Sequence, residues 1–310
     1  MHCPVMLEEA VELLAVRPGG IYLDGTAGSG GHTEAILKRL GGTGRIVAMD
    51  RDAEAIRRCR ERLAEWSNVV LVNRNYSEMG TALDELGIRR ADGILLDLGL
   101  SSDQLASAER GFSFQHDGPL DMRMDRDSGQ TAADLVNSLP EDELAALIWK
   151  WGEERFSRRI AAAIVAARPV LRTLQLANIV ERAKGGRRGK IHPATQTFQA
   201  LRIAVNDEFG HLERALEDGV RLLNPGGRMA VITFHSLEDR MVKTRFQAHA
   251  GKMESLQAGG ERWTGEEPRV KWICKKPLTA GAEEVRLNPR ARSAKLRAVE
   301  RTEDEQEKKA

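Results

Sequence analysis

A short stretch rich in glycine and polar residues, residues 24–33, has the composition of a ligand-binding turn. It reads Asp-Gly-Thr-Ala-Gly-Ser-Gly-Gly-His-Thr. Glycines let a backbone turn sharply and approach a ligand closely. The spacing of these glycines differs from the GxGxxG pattern that binds a dinucleotide, and the lysine of a P-loop is absent. The stretch therefore predicts a binding turn for a ligand other than a dinucleotide.

Three further side chains have the types that a nucleoside site requires. Asp50 follows a predicted strand and can accept hydrogen bonds from both ribose hydroxyls of an adenine nucleoside. Tyr76 follows the next strand and could lie against an adenine ring, and Asp97 ends the fourth strand. Each residue alone could equally be part of a turn or a helix cap, but ligands bind where parallel strands end. Because Asp24 suits a ligand with a positive amino group and a sulfonium, S-adenosylmethionine is favoured over a dinucleotide.

The segments around these residues alternate between strand-like and helix-like patterns. Short apolar runs predict strands, and apolar residues at helical spacing predict the helices between them. The predicted strands are 21–24, 45–49, 69–72, 93–98 and 228–234, with further candidates at 270–275 and 295–301. Strands that alternate with helices predict a parallel sheet covered on both faces. The predicted fold class is therefore α/β, a Rossmann-like doubly wound methyltransferase sheet.

The pattern changes between residues 107 and 223, where helical periods occur without a convincing strand. We therefore predict an all-helical domain inserted after the fourth strand, with one long helix over 195–223. The predicted boundaries are 1–104 for the first part of the sheet domain, 105–212 for the helical domain, 213–300 for the second part and 301–310 for a charged, frayed tail.

Composition excludes several other classes of protein. The chain has 310 residues, of which 41% are hydrophobic and 30% charged, and a net charge of +1; these values are typical of an ordinary folded protein. Its three cysteines, at positions 3, 59 and 274, match no zinc or disulfide pattern, and no residue has the spacing that would make His32 a metal ligand. With no apolar run approaching 18 residues and no signal segment, we expect a cytoplasmic protein without a membrane partner.

Long motifs along almost the whole chain resemble those of the bacterial 16S ribosomal RNA cytosine-N4-methyltransferases. Examples are Glu-Arg-Gly-Phe-Ser-Phe at 109–114 and Phe-His-Ser-Leu-Glu-Asp-Arg at 234–240. The matching stretches are 24–32, 50–52, 93–99, 101–102, 109–114, 118–124, 152–156, 192–195, 197–199, 225–228, 234–240 and 288–293. No match can be aligned between 256 and 275.

This resemblance implies methyl transfer from S-adenosylmethionine to the exocyclic amine of one cytosine in the decoding region. The implied partner is 16S ribosomal RNA within the small subunit, and the inserted helices would recognise it. At the position of Tyr76 relatives often carry phenylalanine, and either ring can stack. The cofactor positions implied by the resemblance are Gly30, Gly31, His32, Asp50, Tyr76, Asp97 and Gln104.

The acceptor chemistry makes Asp97 the candidate catalytic residue. A cytosine amine is a poor nucleophile, so its hydrogens must be held by acceptors and a proton must later be removed. Many amino-methyltransferases of DNA bases carry Asp/Asn/Ser-Pro-Pro-aromatic after the fourth strand, but here both prolines and the aromatic residue are missing. Asp97 and a backbone carbonyl are the predicted acceptors. The stacking ring then comes from Phe112, Phe114 or the pair Phe234-His235, and the catalytic base stays open.

Two basic clusters could contact an RNA backbone, although a solvated charged face explains each one as well. One cluster is Lys184, Arg187, Arg188 and Lys190; the other is Arg286, Arg290, Arg292, Lys295 and Arg297. Three other functions stay open on the residues alone. These are a nicotinamide-dependent oxidoreductase, a methyltransferase for DNA or small molecules, and an RNA-binding protein without activity. The sequence leaves the oligomeric state undetermined.

Overall fold

The computed structural model describes residues 4–187, 189, 191–255, 261–264 and 268–302. It divides into two compact units, one of residues 1–99 with 210–310 and one of residues 100–209. The boundaries predicted from the sequence lie a few residues later, after 104 and 212. Residues 303–310 of the predicted tail lie outside the described residues.

A central sheet forms the core of the first unit. Its strands are β1 (Ile21–Asp24), β2 (Arg45–Met49), β3 (Val69–Val72), β4 (Ala91–Asp97), β5 (Leu223–Thr233), β8 (Val270–Trp272), β9 (Leu278–Thr279) and β10 (Lys295–Arg301); β6 (Lys252–Ser255) and β7 (Glu261–Thr264) pair separately. The strand order is β3-β2-β1-β4-β5-β10-β8, and β9 pairs with β10. Strands β1 to β5 are parallel, whereas β10 is antiparallel to β5. The predicted fold class is confirmed.

The topology brings the carboxyl ends of β1 and β4 together. The chain leaves β3 at one edge and returns as β4 on the other side of β1, so the order of the strands reverses between β1 and β4. Their register pairs Asp24 with Leu95. Ligands of open α/β sheets bind in the crevice at such a reversal.

Helices cover both faces of this sheet. They are α1 (Leu7–Leu14), α2 (Gly31–Leu40), α3 (Ala53–Arg62), α4 (Met79–Glu85), α11 (Glu208–Leu222), α12 (Ser236–Ala250) and α13 (Ala282–Leu287). Successive strand residues point to opposite faces. Ile94 and Leu96 accordingly pack in one core with α4, α11 and α12, while Leu95 packs in the other with α1, α2 and Cys59 of α3. The near-continuous apolar strands are explained by this double coverage.

The second unit is built from helices around a core of its own. They are α5 (Ser102–Ala106), α6 (Ala132–Ser138), α7 (Glu141–Gly152), α8 (Ser157–Ala166), α9 (Thr173–Ala183) and α10 (Thr195–Val205). Leu120, Ile148, Ile160 and Leu201 are among the residues buried in that core.

The long helix predicted over 195–223 is wrong, because α10 and α11 are separate. The chain leaves the helical conformation at Asn206 and Asp207, the latter with φ 43°. The Asn206 amide donates to the carbonyl of Met122 at 2.7 Å and accepts from the N–H of Met124 at 2.8 Å. These hydrogen bonds satisfy backbone groups of a buried loop, and they compete with continuation of the helix at Asn206.

Among the described residues, no helix is both long enough and apolar enough to cross a membrane. The hairpin of β6 and β7 was not predicted. The residues between and after its strands, 256–260 and 265–267, are outside the described part.

A buried ion pair ties α12 to β10. Asp239 accepts from Arg297 Nε at 2.6 Å and from Lys295 Nζ at 2.9 Å, and the Arg297 side chain is only 5% exposed. Burial raises the pKa of Asp239, but the hydrogen bonds from Arg297 and Lys295 outweigh burial and lower it overall. Arg297 is therefore a structural cation, which corrects its assignment to an RNA-contacting cluster.

Removal of the Asp239 carboxylate should destabilise the protein strongly. Asp239→Ala leaves Arg297 buried without its partner, and we expect a loss of about 3–5 kcal/mol in the free energy of unfolding. Urea denaturation measures it. The exposed pair of Asp218 with Arg221 provides the control, since Asp218→Ala should cost at most about 1 kcal/mol. Equal effects of the two substitutions would contradict the structural role.

Candidate active site

The turn after β1 is organised by a buried carboxylate. Asp24 is fully buried; its Oδ2 accepts from the Thr33 hydroxyl at 2.6 Å and its Oδ1 from the N–H of Thr26 at 3.1 Å. Burial raises the pKa of Asp24 to about 6, the two hydrogen bonds oppose that shift, and the charge of Asp50 adds to it. The Asp24 carboxylate therefore stabilises the turn through these hydrogen bonds and is not exposed to solvent.

The glycines of the turn adopt a backbone conformation that is unfavourable for other residues. Gly30 has φ 84°, and a Cβ there would lie 3.0 Å from the Cys59 sulfur. Only glycine adopts such a conformation without cost. The N–H of Gly28 donates to Asp50 Oδ2 at 2.9 Å, so the turn is tied to the end of the neighbouring strand.

Asp50 joins the turn to the next helix. Its Oδ1 accepts from the N–H of Asp52 at 2.9 Å, and Asp52 in turn caps α3 by accepting from the N–H of Glu54. Asp50 is partly exposed, and burial is the main cause that raises its pKa. Each carboxylate oxygen accepts one hydrogen bond from the backbone, and a carboxylate oxygen can accept two.

Asp97 carries an oxygen that the described residues leave without a partner. Its Oδ1 is buried and receives no hydrogen bond from the described part of the chain, while Oδ2 lies 3.6 Å from His32 Nδ1. The side chain as a whole is 21% exposed. Burial raises the pKa of Asp97 well above its ordinary value; the charge of Asp24 raises it further, and Arg290 opposes both. A buried acceptor without a donor is costly, so a ligand that donates there is favoured.

His32 lies under the amino-terminal segment of the chain. Its ring is buried, with Nε2 3.1 Å from the carbonyl oxygen of Val5. The neighbouring Gly31 faces Pro4 so closely that a Cβ would lie 2.3 Å from the proline ring. Contact of Gly30, Gly31 and His32 with a cofactor stays a prediction. No motif pointed to the segment around Pro4 and Val5.

Tyr76 is placed beside the turn, whereas Gln104 belongs to the second unit. Tyr76 is partly buried, and its Cβ would lie 2.9 Å from a Cβ added at Gly25. Gln104 is buried in the first turn of α5, where it forms a reciprocal capping box with Ser101. Its contact with the cofactor stays a prediction too.

An aromatic residue lies at the end of β5, next to the exit of β4. The Phe234 ring comes within 3.3 Å of the position of a Cβ at Gly99, two residues after Asp97. Glu238 is buried and accepts from the N–H groups of Phe234 and His235 at 2.8 and 3.2 Å. This capping box fixes the start of α12 and with it the backbone of Phe234.

Arg290 is the charged neighbour of Asp97 that sequence reasoning placed elsewhere. Burial lowers the pKa of Arg290, and the charge of Asp97 counteracts that shift. The two residues are far apart in the sequence, and the only signal was the motif at 288–293. Arg290 therefore acts on the electrostatics of Asp97, whereas Arg286 and Arg292 are exposed.

Comparison with known proteins identifies the family. The model of the MraW methylase family matches residues 1–302. The chain belongs to this family. It is a methyltransferase, as the motifs predicted, and the resemblance drawn from them is confirmed.

Similar curated proteins match over nearly their whole length. Ribosomal RNA small subunit methyltransferase H of Geotalea uraniireducens is 52% identical, with 97% of this chain and 98% of that protein covered. The proteins of the same name from Geobacter sulfurreducens and Symbiobacterium thermophilum are 53% and 49% identical, with 97% and 96% of this chain and 98% and 96% of those proteins covered. The oxidoreductase alternative is thereby excluded.

The buried Asp24 should make stability depend on pH in a defined direction. Its pKa is about 6 in the folded protein against an ordinary value of 3.8. The folded state thus binds the proton more tightly, and the resulting stabilisation is present below about pH 4 and lost as the pH rises through about 6. Between these limits, the unfolding free energy of the wild type relative to Asp24→Asn should fall by on the order of 3 kcal/mol.

Urea denaturation of the ligand-free protein across this pH range measures the difference. Asp84→Asn, at an exposed position in α4, is the matched control and should follow the wild type at every pH. A difference between wild type and Asp24→Asn that stays constant with pH would show that Asp24 remains ionised throughout.

Proposed function

We propose that this chain transfers a methyl group from S-adenosylmethionine to N4 of a cytosine in the decoding region of 16S ribosomal RNA, within the small ribosomal subunit. Relatives that are 52% and 53% identical in sequence are named ribosomal RNA small subunit methyltransferases. The cytosine and its N4 atom rest on the resemblance of the motifs. A ribosomal substrate places the reaction in the cytoplasm.

The carboxyl edge of the sheet fits the cofactor. The proposed contacts are Gly30, Gly31, His32, Asp50, Tyr76, Asp97 and Gln104. Asp50 has acceptor capacity left for ribose hydroxyls, because each oxygen receives one backbone hydrogen bond. Tyr76 is a partly exposed residue beside the turn. Burial raises the pKa of Asp24, Asp50 and Asp97, and a cation bound beside them would favour their ionised forms again.

The single observation that carries the proposal is the buried Oδ1 of Asp97, which has no donor among the described residues. S-adenosylmethionine, when bound, supplies an electrophilic methyl group on a sulfonium. The cytosine amine shares its lone pair with the ring, so an acceptor that holds one of its hydrogens favours rehybridisation of the nitrogen. We assign this role to Asp97. The same carboxylate, with its raised pKa, is suited to take the proton that the methylated amine must lose.

The decisive experiment is methyl transfer from labelled S-adenosylmethionine to purified small subunits, with free 16S ribosomal RNA and DNA as parallel acceptors. We expect N4-methylcytidine, identified by mass spectrometry, in the ribosomal RNA alone. Asp97→Asn, which keeps the shape but loses the charge, should reduce turnover at least about 100-fold. Asp84→Asn is the control with unchanged turnover.

Measurement of cofactor binding separates the two roles of Asp97. Normal binding with lost transfer would place the residue at the acceptor amine, whereas lost binding would assign it to the cofactor. Label in DNA alone, or in another atom of the RNA, would contradict the proposed substrate.

Phe234 is the ring that we propose to stack on the target cytosine. Phe112 is only 6% exposed, and the Phe114 ring packs against the rings of His192 and Phe198 at 4.5 and 4.8 Å, so both belong to the core of the second unit. Phe234 is partly exposed and lies beside the exit of β4. A base acted on by an enzyme has to leave its stack, and an aromatic face can receive it.

Removal of the Phe234 ring should weaken activity on the RNA substrate and leave cofactor binding unchanged. Phe234→Ala should lower kcat/KM for the ribosomal substrate by about 5- to 100-fold, which corresponds to one lost stacking interaction. The dissociation constant of S-adenosylmethionine should stay the same. Phe234→Tyr keeps the ring and should keep activity, whereas Phe234→Leu keeps only the bulk. Wild-type kinetics of Phe234→Leu would rule out a stacking role.

A further inference from the structure

The corner between α7 and α8, residues 149–159 of the second unit, exposes large aromatic side chains. Trp149, in the last turn of α7, is 58% exposed, and Phe156, just before α8, is 49% exposed. Single exposed apolar residues are normal, but two large rings within one short corner are informative. We name residues 149–159 the α7–α8 corner.

The same corner carries an excess of positive charge. Lys150, Arg155, Arg158 and Arg159 are exposed. Within the described residues, none of the three arginines forms an ion pair, and the ammonium of Lys150 lies 4.2 Å from the centre of the Trp151 ring. The negative charge of the corner is smaller, because Glu153 is its only exposed acidic side chain.

Glu154 is the remaining acidic residue of the corner, and its charge is compensated by an ion pair within the protein. It is buried and pairs with Lys184 Nζ at 2.5 Å, while its other oxygen accepts from the N–H of Phe156 at 2.9 Å. This ion pair attaches the basic loop that begins at Lys184 to the α7–α8 corner. Arg187 of that loop is exposed; Arg188 and Lys190 lie outside the described residues. The loop therefore begins next to the α7–α8 corner.

A solvated helix face is the alternative explanation for exposed arginines, but it does not account for the exposed rings. Rings interleaved with arginines match the chemistry of a nucleic acid, in which phosphates alternate with bases that can stack. Arginine also stacks on bases and pairs with phosphate through two N–H groups. Charge complementarity favours a polyanion over a neutral or basic protein surface.

We propose that the α7–α8 corner binds unpaired nucleotides of the substrate RNA, with the arginines on phosphates and Trp149 and Phe156 on bases. This inference rests on the proposed function of the chain as a ribosomal RNA methyltransferase. The corner shares no residue with the proposed contacts to the cofactor and the target base. The corner contributes affinity, and it takes no part in the chemical step.

The salt dependence of RNA binding tests the arginines. The double variant Arg158→Ala/Arg159→Ala removes two phosphate contacts, so the slope of log K against log salt for 16S ribosomal RNA should become shallower by about 1.4. KM for the RNA should rise, with kcat at saturation and cofactor binding unchanged. Arg57→Ala/Arg60→Ala, at two exposed positions of α3, is the matched control and should keep the wild-type slope.

The fluorescence of Trp149 tests whether the aromatic rings of the corner contact RNA bases. Binding of a short unpaired RNA should change the emission of the wild type, and Trp149→Phe should lose most of that change while binding persists. Trp149→Ala/Phe156→Ala should weaken RNA binding at least about 5-fold. Circular dichroism checks that each variant is folded.

Two outcomes would overturn the inference. One is an unchanged affinity and salt slope in the arginine and aromatic variants. The other is normal binding of the variants to free RNA with lost binding to assembled subunits, which would make the corner a docking site for a ribosomal protein. Both differ from failure of the proposed function, in which the wild-type enzyme itself methylates no ribosomal RNA.

Discussion

Negative charge held at the carboxyl edge of the sheet is the constraint on which the site depends. Burial raises the pKa of Asp24 and Asp97, and neighbouring carboxylates add to the shift of each. The hydroxyl and N–H groups of Thr33 and Thr26 satisfy Asp24 without neutralising it. Arg290, itself partly buried, compensates Asp97 only in part. A cationic ligand would offset both the burial and the repulsion between carboxylates, which suits this end of the sheet to a sulfonium and an amino group.

The surroundings of Asp239 and Asp97 give these two aspartates of the first unit different roles, one structural and one functional. Asp239 pairs with Arg297 and Lys295, and its pKa falls below the ordinary value. Asp97 has a raised pKa and one oxygen without a donor in the described part of the chain. The first carboxylate is satisfied and locks α12 to β10. The second is unsatisfied at a strand end, where perturbed groups mark functional sites.

The two units divide the proposed work by their chemistry. The sheet unit supplies fixed acceptors at strand ends, which suit a nucleoside cofactor and a base that must be held rigidly. The helical unit presents arginines and rings on its surface, which suit a flexible, highly charged polymer. It has a core of its own, which includes Ile148, Ile160 and Leu201.

Most of the sheet could be predicted from the sequence, because each strand is a short apolar run that ends in a polar residue. Asp50 and Asp97 lie at the ends of β2 and β4, as predicted, since parallel strands expose their carboxyl ends at one edge. The break between α10 and α11 was missed, because it depends on hydrogen bonds of Asn206 to the backbone of Met122 and Met124, which are distant in the sequence.

The fold class, the family and the positions of the strand-end residues can all be predicted from the amino-acid sequence, since they follow from local periodicity and long motifs. Which charges are neutralised depends on the folded protein. It paired Arg297 with Asp239 instead of leaving it for RNA, placed Arg290 near Asp97, and buried Phe112 while leaving Phe234 partly exposed. The physical reason is that burial and ion pairing depend on neighbours brought together by packing, which local patterns do not encode.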